Sequence, residues 1–409
     1  MTSRLMTFVR TDAARWTVMY YWLFICLGLS IGLVGPTLPS LANQTQTLVG
    51  DLGAVFTASA VGALLGTLLG SRVFDRVRGH RALGIAQLAS AALIALYPVI
   101  PSAWILLVVV VGKGLTDGFI NTGANTLLVW THKEKSSPYM NALHFFFGLG
   151  AFLAPILVAQ TIDIPGGYRY AFWVLAVISG LAGLAMLSLK KNPQHAHTTT
   201  TVEEKARINY RVVVAAMLFL FFYVGAEIAF AGWIYTYATT IKFADGPMDE
   251  TTAAYLTSAF WLTFTLGRLS SIPLAMRFKP QQLIAAALGG CLAVLGVALT
   301  IQPNSTFVWI LAAALGFCMA PIWPSGFTLA GQSVRLTARV SGLILLGDSL
   351  GFMVLPWVVG QVLQGVGPQA LTTLVFMSLV GNLAAFAAIM RLRRTAPAAA
   401  SADLAVMNE

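Results

Sequence analysis

Twelve apolar stretches recur along the chain, at about 17–41, 48–70, 82–100, 103–130, 139–162, 168–189, 211–241, 253–276, 282–302, 306–331, 339–364 and 369–390. About 20 apolar residues cross a bilayer as one helix. Lipid offers no partner for an unpaired backbone group, so a chain patterned this way is expected to fold as packed membrane-spanning helices. Composition agrees, since 57% of the residues are hydrophobic and 10% are charged, against about 25% charged in soluble domains. The first apolar run continues past Pro36 without a small-residue cleavage site, which reads as a retained span and not a removed signal peptide.

The basic residues orient the spans. With the N-terminus placed in the cytoplasm, 21 of the 25 Lys and Arg residues fall on the inner side, and only Arg169 and Lys242 fall outside. The remaining two, Lys113 and Arg268, lie within spans. The expected location is the plasma (bacterial inner) membrane with both termini cytoplasmic. The formal charge of +10 therefore does not point to nucleic acid. Cys26, Cys291 and Cys318 stand singly in apolar segments, as packing residues and not as a zinc or disulfide frame. No cofactor is expected beyond a transported H⁺ or Na⁺.

Residues 190–210 form the one long polar interruption. They divide the chain into a six-helix bundle at 1–189, a cytoplasmic linker, a second six-helix bundle at 211–394 and a tail at 395–409. The halves match each other. GLGAFLAPILVAQ in span 5 aligns with SLGFMVLPWVVGQ in span 11, pairing Gly150 with Gly351, Pro155 with Pro356 and Gln160 with Gln361. This two-times-six layout resembles the major facilitator superfamily, whose substrate site lies between the halves near mid-membrane. GSRVFDRVRGHR between spans 2 and 3 is similar to that family's loop signature, one residue long on each side of Asp75-Arg76. The resemblance implies an all-α membrane fold and gating roles for Asp75 and Arg76.

Span 4 carries Lys113, Asp117, Asn121 and Asn125 at steps of four. Such residues are offset by about 40° around a helix and about 6 Å along it, giving a stripe about 18 Å long. A charge at mid-bilayer costs about 2.5–3.5 kcal/mol even on the lenient scale, so the stripe must face protein or water. Glu227 in span 7 and Asp348 in span 11 add acids, and Arg268 and His144 lie in spans 8 and 5. Arg268 can also snorkel to the surface, His144 can serve as a hydrogen-bonded packing residue, and Asp348 can be a local interface partner. Mid-span carboxylates mark ion or substrate pathways. They can take up and release a proton as access changes sides, or hold Na⁺. Asp117, Glu227, Lys113 and Asp348 are the candidate ion-coupling residues.

Amides donate and accept hydrogen bonds, and Trp or Tyr offers a flat apolar face with a polar handle. Asn121, Asn125, Gln160, Gln361, Trp233, Tyr235, Trp261 and Trp323 are therefore candidate contacts for an uncharged polyol, with Trp357 beside them. About half of the aromatics are expected to be packing or interface-belt residues instead.

GLTDGFINTGANTLLVW, NALHFFFGLGAFLAPIL and YVGAEIAFAGWIYTYA resemble spans 4, 5 and 7 of the fucose-permease and sodium-dependent glucose-transporter-like branch. The resemblance implies sugar import by alternating access, coupled to H⁺ or Na⁺. A monomer is expected. Fucose permease has an essential carboxylate in span 1, whereas span 1 here has no charge. That leaves coupling to Asp117 and Glu227, and leaves a uniporter open. A proton-driven drug or metabolite exporter of the same fold is the alternative. The GDSLG run from Gly347 to Gly351 lies within an apolar helical span, without the strand–turn–helix setting an esterase needs, so no enzyme is expected.

Overall fold

The computed structural model of the protein describes residues 12–74, 78–193, 209–243, 246–302, 304–334 and 337–394. These form helices α1 (Asp12–Thr45), α2 (Ala54–Val73), α3 (Gly79–Leu96), α4 (Ala103–His132), α5 (Ser136–Thr161), α6 (Tyr168–Leu187), α7 (Tyr210–Thr240), α8 (Glu250–Arg277), α9 (Pro280–Thr300), α10 (Ser305–Met319), α11 (Ile322–Gly331), α12 (Ala338–Val366) and α13 (Ala370–Arg394). Among the described residues there are no strands. Eleven crossings among the described residues are long and apolar enough to span a membrane, counting α10 and α11 as one. The twelfth, α8, has 28 residues, with Thr, Ser and Arg268 among them.

Local chemistry sets several helix starts. The side chains of Asp249, Asn304 and Thr337 accept from the backbone N–H groups of Thr252, Phe307 and Val340 at 2.9, 2.8 and 3.2 Å, which satisfies donors a helix start leaves unpaired. Hydrogen bonds from Thr252 hold the Asp249 carboxyl below its ordinary range. The expected span at 306–331 is broken, because α10 stops at Met319 and α11 resumes at Ile322. Pro321 lacks the N–H that would continue the ladder.

The packing pattern repeats. α1 lies on α5, α2 on α4 and α3 on α6, while α7 lies on α12, α8 on α10 and α9 on α13. Close glycine contacts repeat with it. A Cβ on Gly114 would meet the backbone of Ser59 and Ala63 in α2, and one on Gly316 would meet that of Phe260 and Phe264 in α8. Likewise Gly150 lies against Ile25 and Leu29 in α1, and Gly351 against Phe221 and Gly225 in α7. Small residues let helices approach closely where lipid removes the hydrophobic drive for association. The two sets of helices meet along α5–α8, α2–α12 and α1–α7.

Two faces result. Asp12, His132, Arg277 and Arg394 lie at one, here the terminal face, and Thr45, Thr161, Thr240 and Val366 lie at the opposite face.

Candidate functional site

Side-chain bonds between the two sets of helices gather toward the opposite face. Thr57 Oγ1 donates to Met353 O (2.7 Å), Ser258 Oγ to Phe152 O (2.7 Å), Gln361 Nε2 to Gly50 O (3.1 Å) and Thr251 Oγ1 to Asp163 Oδ2 (3.2 Å). Gln160 Nε2 donates to Tyr255 Oη. With its amide turned so that the oxygen faces them, Gln364 accepts from the N–H groups of Gly50 (2.9 Å) and Asp51 (2.7 Å). A Cβ on Gly35 of α1 would lie 3.0 Å from Gly232 O of α7. The sets part toward the terminal face. In α8 most residues from Ala253 to Thr265 are buried, whereas all six from Ile272 to Arg277 are exposed.

Exposure along the polar stripe rises in the same direction from Lys113 to a maximum at Asn121. The Lys113 side chain is 5% exposed and that of Asp117 is 24%, Asn125 is half-buried and Asn121 is exposed. Lys113 Nζ donates to Asp117 Oδ1, which keeps the buried ammonium paired. Asn125 Nδ2 donates to Asn121 O (2.8 Å) and Oδ1 (2.7 Å), tying the amides into one unit.

The second set of helices supplies a different surface. The Gly114/Gly316 contacts put α4 and the α10–α11 crossing in one register, GLTDGFINTGANTL against GFCMAPIWPSGFTL. In it Asn121 corresponds to Trp323 and Asn125 to Phe327. The rings of Trp323 and Phe327 stack at 5.5 Å with 2° between planes, and Trp323 Nε1 donates to Asp348 Oδ1 at 2.8 Å. One set of helices thus presents amides where the other presents a flat aromatic face. Phe327 was missed in the sequence; the signal was the weak match between spans 4 and 10, which only the paired glycine contacts make secure.

The guanidinium of Arg268 projects from α8, the helix that follows the one carrying Glu227. It lies 4.9 Å from the Phe264 ring, and its buried Nε has no hydrogen-bond partner among the described residues. Glu227 is buried. Neighbouring Tyr223 donates to Met319 O, the end of α10, at 2.8 Å.

The other candidate residues lie elsewhere. Gln160 and Gln361, expected as substrate contacts, bond across the seam at the opposite face, far along their helices from the exposed amides. Trp233 is fully buried there, donating to Pro356 O at 2.8 Å and filling space beside Gly53 and Gly360. Tyr235 and Trp261 are buried among packed side chains. Trp357 is exposed. His144 is exposed, on the half of α5 nearer the terminal face. Asp75 and Arg76 lie outside the described residues.

A match to the family described as Major Facilitator Superfamily spans residues 20–356. The chain is 30% identical over 397 residues to sodium-dependent glucose transporter 1 of Homo sapiens, covering 88% of this chain and 76% of that protein. It is 30% identical over 387 residues to sodium-dependent glucose transporter 1A of Mus musculus, covering 85% and 89%. Major facilitator superfamily domain-containing protein 4A of Homo sapiens is 26% identical over 449 residues, covering 86% and 87%. The crystal structure of the nucleoside transporter NupG is similar with a TM-score of 0.72 at 13% identity, covering 93% of this chain and 99% of that one. A bacterial homologue of the lysosomal transporter Spinster, in an inward-facing, occupied conformation, gives 0.70 at 13%, covering 94% and 96%.

Proposed function

This chain belongs to the Major Facilitator Superfamily and is a transporter, not an enzyme, and from that premise we propose that it carries a sugar across the membrane by alternating access, coupled to a proton or sodium gradient. The observation that carries the reading is the pairing of unlike walls. Asn121 and Asn125 stand at positions equivalent to Trp323 and Phe327. A sugar ring has hydroxyls that amides bind and C–H faces that lie on aromatic rings. The names of the relatives, sodium-dependent glucose transporters, support the same substrate class. Under the positive-inside orientation the terminal face is cytoplasmic, and the seam at the opposite face supports reading this conformer as inward-open.

Asp117 and Glu227 are the coupling acids in this reading, with Lys113 and Arg268 as their cationic neighbours. Asp348 has a second task, since its carboxylate holds the Trp323 indole. The test is uptake into proteoliposomes, with hexoses, pentoses and disaccharides offered under imposed proton or sodium gradients. Accumulation of one sugar class under one gradient is expected. Movement of none of them under either gradient overturns the reading.

Glu227→Gln keeps the shape and removes the charge. The expected result is a shifted or flattened pH or Na⁺ profile of uptake, with the protein still folded. A profile superimposable on that of the parent removes Glu227 from coupling.

A further inference from the structure

A cavity of about 550 Å³ lies at the terminal face, with no residue of the stripe in its lining. Trp16 of α1, Trp130 and Thr131 at the end of α4, Lys133 just beyond it, and Lys191 and Asn192 after α6 line it. Two histidines fasten its walls. His80, with no exposed surface, has Nδ1 2.7 Å from Lys191 O and Nε2 2.7 Å from Tyr20 Oη, and its backbone N–H donates to Asn192 Oδ1 at 2.9 Å. Its ring also lies 5.2 Å from that of Trp16. On the other wall His132 Nε2 is 2.7 Å from Thr17 Oγ1, and the ring stacks on Tyr139 at 3.5 Å. The next residue, Lys133, adopts φ 52°, a conformation that side chains disfavour and that persists only where its surroundings impose it.

The lining combines two cations, an amide and two indoles. Lys191 Nζ is 2.8 Å from Asp12 Oδ2, while Lys133 has no ion pair among the described residues. Arg15, Arg81, Lys135 and Lys190 belong to the same basic face. Such a set suits one negative charge joined to an apolar body. Tryptophan is enriched at headgroup depth, and basic pockets between helices on the cytoplasmic side bind lipid headgroups. A free phosphate would use the lysines and leave the indoles idle.

We propose that this cavity binds the phosphodiester headgroup of an anionic phospholipid, with Lys133 and Lys191 on the phosphate and Trp16 and Trp130 against the glycerol and upper acyl chains. Occupancy would brace α1, α4 and the segment after α6 against one another, on the face where the two sets of helices part.

The test uses the full-length protein, stripped of lipid and examined by native mass spectrometry with phosphatidylglycerol, phosphatidylcholine or inorganic phosphate. Phosphatidylglycerol should be retained preferentially over phosphatidylcholine, and Lys133→Gln with Lys191→Gln should remove the preference, at roughly fivefold per lysine. Both side chains are exposed, so an unchanged thermal melt checks that the double variant folds; if it does not, Lys133→Gln alone is compared with the parent. Equal retention of phosphatidylglycerol by parent and variant overturns the proposal. So does displacement of the lipid by millimolar phosphate, which would make the cavity a free-anion site.

Discussion

Asp117→Asn abolishes accumulation of substrate against a gradient while leaving the protein in the membrane. Asp117 is the acid of the polar stripe, and its carboxylate accepts from Lys113 Nζ. The asparagine oxygen can still accept that hydrogen bond, so the side chains keep their packing. The negative charge is lost, and with it the group that binds an ion on one side and releases it on the other. Lys113 is then a buried cation without a counter-charge, a change that costs about 3–5 kcal/mol where nothing relaxes. For that reason Lys113→Gln with Asp117→Asn is the companion variant, since it removes both charges and restores neutrality. In both variants, exchange of labelled for unlabelled substrate should continue at equal concentrations, and uptake driven by an imposed proton or sodium gradient should cease. Undiminished accumulation in either variant, measured in proteoliposomes, removes Asp117 from the mechanism.

Gly66→Leu prevents α2 from seating on α4. A Cβ at Gly66 would meet the carbonyl of Leu115 and lie 2.8 Å from the Phe119 nitrogen. Those are backbone atoms of a helix and cannot turn aside as a side chain could. Accommodation requires separating two helices whose approach rests on Gly62, Gly66, Gly114 and Gly118. Overpacking of this kind costs about 1–3 kcal/mol for small additions and more for a leucine against backbone. A fall in melting temperature of roughly 5 °C or more is expected, with loss of folded protein on extraction into detergent. The equivalent Gly267, against Phe317 and Ala320 of the α10 crossing, should respond alike. Gly296→Leu is the control, because nothing lies within 4 Å of an added Cβ there. An unaltered melt for Gly66→Leu, or an equal loss for Gly296→Leu, would show that close helix approach is not what these glycines provide.

The candidate site was legible in part. Lys113, Asp117, Asn121 and Asn125 share a stripe because helical geometry alone puts residues four apart on one side. Trp323 and Asp348 were recognisable as polar or amphipathic residues in apolar spans, but their contact joins α11 to α12 and follows from how those helices pack. Gln160 and Gln361 show the limit. Their residue type suited a sugar, and their matched positions revealed an internal repeat, yet both bond across the seam at the opposite face. Height in the membrane, relative to where the two sets of helices close, cannot be read from type and spacing.

The number of crossings and the family came from the amino-acid order itself. Lipid obliges each spanning segment to pair its own backbone, so length and apolarity translate directly into helices, even in the more polar α8. The break between α10 and α11 was already written in Pro321, whereas the amide wall's aromatic counterpart, the access of Asn121 and the cavity beside His80 belong to the tertiary structure. Each depends on which helix faces meet and how far the two sets have tilted apart, and contacts between segments far apart in the chain decide both.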